Sequence, residues 1–418
     1  MSIFDFPFCS IIDKTINNRD MKILLVAERY YPEVGAAPTR LSNMAEGLCE
    51  QGVEVDVLTS LPNYPTGRIF DGYRHRLFKH EKVNGCNVFR YWIFATVSRN
   101  AVKRLLNMIS FAITIWLFAF RIKRCSSYDR VIIQTPTLIV AISAMWLFKL
   151  LYRKKCLVNI SDIWPSTAVD MGVMKEGSAS WKVMTWCEKY LYRHADGVIG
   201  QSQEILDRVE EVSGSTTRRF LYRNLSRQTI DCTSHQKGSP LKICFAGMLG
   251  VAQDILSIVQ KVDFKVLGVE FHIIGGGNQY ETLCQWVEMH PNCNVVMHGF
   301  VAKEKMADIY RHFDAAIVPL ATRIRGAFPS KVFDILPMGL PVLLCGEGEV
   351  AQFVEDHHVG FVCKPADYDT LRENIIKLRD MDADSYRYIS SACISTTRQE
   401  LNFKAQMKNC YSFLISHI

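Results

Sequence analysis

Residues 314–344 read DAAIVPLATRIRGAFPSKVFDILPMGLPVLL, and the order of residue types along them decides the fold. An apolar run of strand composition, 315–320, meets a polar loop, 321–329; Ser330 and Lys331 then open a helical pattern carried by Val332, Phe333, Ile335 and Leu336. A strand that turns into a helix aims the first N–H groups of that helix, and the positive end of its dipole, at one small anion. Lys331 adds a full charge at the same mouth. One turn further in, Asp334 has two oxygens with which to hold the two hydroxyls of a ribose, as an acidic residue does in dinucleotide folds. Phosphate and ribose together mean a nucleotide.

Working outward, the same theme recurs. Strand-like runs at 22–27, 53–59, 88–94, 130–134, 156–160 and 197–200 come first. A second series follows at 242–246, 270–274, 294–297, 315–318 and 342–345. Helical patterns lie between them, the clearest at 39–51, where Leu41, Met44, Ala45 and Leu48 share one face. Strand, crossover and strand again predict parallel sheets. At 418 residues the chain exceeds one ordinary core, so two doubly wound α/β domains are expected. The boundaries are 21–224 and 225–401, with the polar, aperiodic stretch 224–240 as linker. A cleft between the domains, at the carboxyl ends of their strands, is where ligands of such sheets sit. Residues 1–20 have no basic start and no small-residue cleavage site, and are expected to form a disordered tail.

Charge is unevenly placed. The first 200 residues hold 26 basic and 17 acidic side chains, the remainder 23 and 25, so the net +7 belongs to the first half. A basic domain favours an anionic partner. Nucleic acid is not expected, because aromatic and basic residues do not interleave. Two apolar segments carry basic flanks instead: 105–120, between Arg99, Lys103, Arg104 and Arg121, Lys123, Arg124, and 138–152, followed by Arg153, Lys154 and Lys155. Both fall short of the roughly 20 residues that span a bilayer. Helices lying in a membrane interface fit the basic ends, and burial in the core of the first sheet is the other reading. Fourteen cysteines at wide spacing, without a CxxC pair, read as free thiols, and eleven histidines show no ligand spacing, so no metal is expected.

Several turns match a known family. The loop that leads through Gly326 and Asp334 to Gly339-Leu340-Pro341-Val342 resembles the donor loop of glycosyltransferase family 4. That family usually has a Glu at each end of a nine-residue frame; here the two places hold Gly326 and Asp334. The Gly…Pro-Ser-Lys-x-Phe form, with Asp162-Ile163-Trp164-Pro165, is similar to the branch that transfers N-acetylated deoxy sugars such as N-acetylfucosamine in O-antigen and capsule assembly. The resemblance implies a GT-B arrangement of two Rossmann-like domains facing a central cleft, with the acceptor on the first, the nucleotide donor on the second, and the helix at 402–418 packed back on the first.

It also implies roles. Gly35, Gly247, Gly275 and Gly277 would bring backbone to the donor. Phe300 and Val301 would frame the base, and Arg323, Arg325, Gly326, Ser330, Lys331 and Asp334 would surround the diphosphate and ribose. Most members have an Arg and a Lys where this chain has Met248 and Gln253, so positive charge must come from Arg323, Arg325 and Lys331. Trp164 offers an indole to a sugar face. Arg40 has two readings, a contact to the acceptor's phosphate or a surface side chain. Asp162 has two as well, a contact to the acceptor hydroxyl or a cap on the next helix. Asp162, Lys331 and Asp334 are the catalytic candidates.

The expected activity is metal-independent, anomer-retaining transfer of a sugar from a UDP-sugar to a polyprenyl-diphosphate-linked saccharide, with no cofactor. The expected place is the cytoplasmic face of the inner membrane, as a peripheral protein. A UDP-sugar epimerase and a non-catalytic nucleotide-sugar-binding protein are the alternatives.

Overall fold

A computed structural model describes residues 21–98, 100–214, 216–227, 235–302 and 305–416. The expected tail 1–20, the flanking Arg99 and the middle of the expected linker lie outside the described residues. Two sheets account for the strands. The first contains β1 (Lys22–Val26), β2 (Glu54–Ser60), β3 (Phe78–Val83), β4 (Cys86–Tyr91), β5 (Arg130–Gln134), β6 (Lys155–Ile160), β7 (Gly197–Gly200) and β8 (Arg219–Leu221), in the order β3-β4-β2-β1-β5-β6-β7-β8. The second contains β9 (Lys242–Ala246), β10 (Glu270–Ile274), β11 (Val295–Gly299), β12 (Ala315–Pro319), β13 (Val342–Cys345) and β14 (Gly360–Cys363), in the order β11-β10-β9-β12-β13-β14. Every pairing is parallel except β3 with β4.

That exception was missed from sequence. β3 alternates exposed and half-buried residues at a sheet edge, so it lacks the apolar run of a buried strand. The signal was the turn: Asn84 and Gly85 both take positive φ, 46° and 88°, as a two-residue hairpin requires. β8 and β14 were also missed; each is a short strand at a sheet edge.

Strand order reverses between β1 and β5 in the first sheet and between β9 and β12 in the second, and the crevice at such a reversal is where these sheets bind ligands. The helix Ala36–Glu50 covers β1 and β2 with Leu41, Met44, Ala45 and Leu48 buried. Gly47 on this helix leaves room for Met407 of the last helix, Phe403–Ile415. Burying Phe403, Met407 and Leu414 there contributes about 1.5–3 kcal/mol each. The last helix therefore returns to the first lobe, where Arg218 Nη2 also donates to the Phe413 carbonyl at 2.9 Å.

The two apolar segments part company. Leu138–Met145 and its continuation Trp146–Leu151 are buried along most of their length, between the helices Ala101–Thr114 and Ala179–His194. This corrects the interfacial reading of 138–152: a helix covered on both sides is apolar all round. Val102–Phe120 is different: at 19 residues it is longer than the 16 expected, it is long and apolar enough to cross a membrane, and 22% of its apolar stretch is buried. Val102, Ile113 and Phe120 are 65, 64 and 82% exposed.

Candidate active site

In the second lobe β9 ends at Ala246, and Gly247 turns with φ 152°. A Cβ on Gly247 would collide with Cε and Nζ of Lys331, so that side chain lies directly across the turn. Its Nζ stands 5.1 Å from the centre of the Phe245 ring. Burial pushes the ammonium below its ordinary range, and the Asp334 carboxylate opposes the shift. Lys331 thus points inward, at the carboxyl end of β9 and beside the reversal with β12. Asp334 is half-buried on the same short helix, Lys331–Ile335, and its charge also reaches the buried Tyr310 phenol.

The loop after β10 lies flat on this turn. Leu249 N–H donates to the Gly276 carbonyl at 2.9 Å and Gly247 N–H to the Ile274 carbonyl at 2.9 Å. Side chains at 275 or 277 would strike the carbonyls of Gly247 and Leu249, which explains the glycines at these two positions. Phe300, 81% exposed, and half-buried Val301 follow β11.

Three expectations for this lobe need correction. The helix has five residues before Pro337, lacking an N–H, enforces a tighter turn, and the N–H groups of Val332 and Phe333 are already bonded to the carbonyls of Pro329 and Ser330. The anion contact therefore falls to Lys331 and the glycine turn more than to a row of open amides, and the Ser330 side chain makes no cap. The charge of Arg323 is drawn to a carboxylate instead. Arg323 Nη2 faces Glu204 of the first lobe at 3.7 Å, and exposed Arg325 donates its backbone N–H to Asp170 at 3.2 Å.

The third correction concerns Gly326. Its N–H donates to Glu204 Oε2 at 2.7 Å and its carbonyl accepts from Ser202 Oγ at 2.8 Å. A Cβ there would come within 2.8 Å of Ile205 and 2.9 Å of Ile163. Gly326 is spent on joining the lobes, so its backbone is not offered to a ligand.

In the first lobe, half-buried Gly35 precedes the helix Ala36–Glu50 with φ 155° and borders Tyr64. Arg40 is neither of the things expected. It is 1% exposed, donates to Asn159 Oδ1 at 2.7 Å and to the Tyr222 carbonyl at 3.1 Å, and burial holds it down to about 10. Asn159 continues to Gln134 at 2.5 Å, and Gln134 to Ser161 at 2.8 Å, so a buried polar network ties down the loop that carries Asp162. Asp162 is half-buried; burial pushes its carboxyl up and Arg40 opposes the shift. The helix that follows has Pro165 at its start and no side-chain cap, which removes the capping reading for Asp162. Trp164 lines a cleft of about 380 Å³ in this lobe.

No local pattern announces the clasp between lobes, because its partners lie 145 residues apart: Glu204 and Glu349 exchange hydrogen bonds with each other's backbone. Arg223 Nη2 meets Glu349 Oε1 at 2.5 Å and its guanidinium lies 4.3 Å from the Phe328 ring centre. Glu33 was also overlooked. It accepts N–H groups from Tyr30, Asn63 and Tyr64, tying the loop after β1 to the loop after β2.

Comparison with known proteins finds a glycosyltransferase domain on each lobe. Residues 35–223 match the glycosyl transferase 4-like domain and residues 240–380 the glycosyl transferases group 1 domain. A putative colanic acid biosynthesis glycosyl transferase of Escherichia coli (strain K12) is 24% identical over 356 residues, 80% of this chain and 86% of that protein. Among solved structures, sucrose-phosphate synthase from Thermosynechococcus elongatus superposes with a TM-score of 0.71 at 14% identity, over 95% of this chain and 99% of that one. The Anabaena protein HepE in complex with UDP gives 0.68 at 15%, over 95% and 100%. With one matched domain on each parallel-sheet lobe, this chain is a glycosyltransferase of the GT-B fold.

Proposed function

We propose that the protein transfers a sugar, an N-acetylated deoxyhexose, from a UDP-sugar to a polyprenyl-diphosphate-linked saccharide with retention at the anomeric carbon, in assembly of a bacterial surface polysaccharide. The observation that carries this reading is Lys331 lying across Gly247, at the strand reversal of the second sheet. HepE binding UDP and the colanic acid relative support the donor class and the pathway class.

As the bond from the anomeric carbon to the donor phosphate breaks, negative charge gathers on the departing oxygen, and the Lys331 ammonium stabilises it without a metal ion. The acceptor oxygen forms its bond on the face just vacated. Its proton passes to the departing phosphate, so no carboxylate nucleophile is required. Asp334 holds the ribose, Asp162 the acceptor hydroxyl, and Trp164 the acceptor ring. The exposed apolar side of Val102–Phe120, with Lys103, Arg104 and Arg121, rests on the cytoplasmic face of the inner membrane.

A screen of UDP-sugars against membrane-extracted lipid acceptor, read by mass, tests the reading. One sugar added to the lipid is expected; a free epimerised UDP-sugar, or UDP binding without turnover, would overturn it. Co-sedimentation with anionic vesicles that survives Phe120→Glu with Leu105→Glu would remove the membrane role.

A further inference from the structure

The first sheet has its own strand reversal, between β1 and β5, and the 380 Å³ cleft lies there, with Glu28 and Arg29 from the chain after β1 and Thr137 from the chain after β5. Glu28 is the unusual member. Its side chain is 10% exposed; Oε1 lies 3.8 Å from Arg29 Nε, while the buried Oε2 has no hydrogen-bond partner among the described residues. Its backbone is fixed, since its carbonyl accepts from Ser60 Oγ at 2.7 Å and from the Ser60 N–H at 3.3 Å. A buried acceptor left without a donor costs about 1–3 kcal/mol, so a ligand that supplies the donor has a built place to bind.

The walls say what that ligand is. Tyr64 and Trp164 are flat apolar surfaces, and Arg29 stacks on Tyr64 at 4.3 Å while keeping 46% of its side chain exposed. Arg104 adds a second cation from the helix Ala101–Thr114, whose outer side is the exposed apolar surface. A carboxylate repels phosphate and accepts from hydroxyls; the two guanidinium groups do the reverse. One ligand satisfies both when it joins a neutral sugar to an anionic, lipid-bound group.

We infer that this cleft seats the acceptor, with Glu28 accepting a hydrogen bond from a sugar hydroxyl, Tyr64 and Trp164 flanking the ring, and Arg29 and Arg104 meeting the diphosphate of the carrier. The assignment rests on the transfer reading above and adds the residues that select the acceptor. The seat adjoins the donor loop, because Ile163, the neighbour of Trp164, packs against Gly326.

Titration of the full chain, without donor, with farnesyl diphosphate and with its glucosylated form tests the seat. The glucosylated probe should bind at least fivefold more tightly than the bare one. Glu28→Ala should erase that preference, the isosteric Glu28→Gln, which keeps one acceptor oxygen without the charge, should reduce it, and Arg29→Ala with Arg104→Ala should weaken both probes at least tenfold. Wild-type preference in both Glu28 variants overturns the assignment, and so does wild-type protein that binds neither probe. UDP is titrated separately. Loss of UDP binding in the wild type would strike the donor reading, while the probe titrations still judge the seat.

Discussion

Glu204 and Glu349 each cap the helix that the other begins, from opposite lobes. Glu349 Oε2 accepts the N–H groups of Gln203 and Glu204 at 2.6 and 3.2 Å, and Glu204 Oε1 accepts the N–H of Glu349 at 3.1 Å. These amides lack partners within their own helices, Gln203–Ser213 and Glu349–Asp356, so each carboxylate stabilises the other lobe's helix only while the lobes are together.

Replacing either residue by Ala should cost about 1 kcal/mol, as loss of a helix cap does. Because parting the lobes breaks both caps at once, the double variant should cost less than the sum of the two singles. Urea denaturation of the four proteins measures this, and strictly additive costs would show that the caps act independently.

Lys331→Met should reduce transfer by about 100-fold or more, the range seen when one preorganised charge-stabilising group is removed. The pH dependence follows from the lowered pKa. The unfolded chain holds the proton up to about 10.5 and the folded chain releases it earlier, so this residue's contribution favours folding increasingly as pH rises through that window. A diphosphate reverses the shift by favouring the ammonium. UDP binding in alkaline buffer should therefore take up a fraction of a proton, seen by calorimetry in two buffers of different ionisation enthalpy. Equal uptake by Lys331→Met would contradict the assignment.

Gly326→Ala should be destabilising on two counts. A non-glycine residue at φ 74° costs about 1–2 kcal/mol, and the new Cβ pushes on Ile163 and Ile205. Gly326→Glu, which installs the side chain usual in family 4, should lower activity and enlarge the particle in small-angle scattering by wedging the lobes. A gain in turnover would show that the position faces the donor after all.

Arg40→Met should cost about 3 kcal/mol, because Asn159 and the Tyr222 carbonyl are left buried without their donor. The surviving folded protein should keep its KM for donor. A raised acceptor KM with unchanged stability would restore Arg40 to the binding surface.

Residues 314–344 carried the legible part. An apolar strand, a loop of small residues and an inward Lys331 are local facts, and periodicity located most strands of both sheets in the same way. What stayed hidden depends on distance along the chain. Nothing near Gly326 reveals that Ser202, Glu204 and Ile205 occupy the space a side chain would need. Arg40 lies on a helix whose pattern leaves it plausibly outward, and only the arrival of Asn159 and Tyr222 closes over it. The segment at 138–151 shows the same limit: composition makes it apolar, and only its neighbours decide between lipid and core.

The return of the last helix has a mechanical consequence. The chain passes between lobes twice, and where both crossings meet the first lobe Arg223 and Gln406 are stitched together, Arg223 N–H to Gln406 Oε1 at 2.8 Å and Gln406 Nε2 to the Arg223 carbonyl at 3.0 Å. Two covalent tethers fastened side by side behave as a door hinge rather than a ball joint. The lobes swing about that line, so each opening returns the same two faces into register.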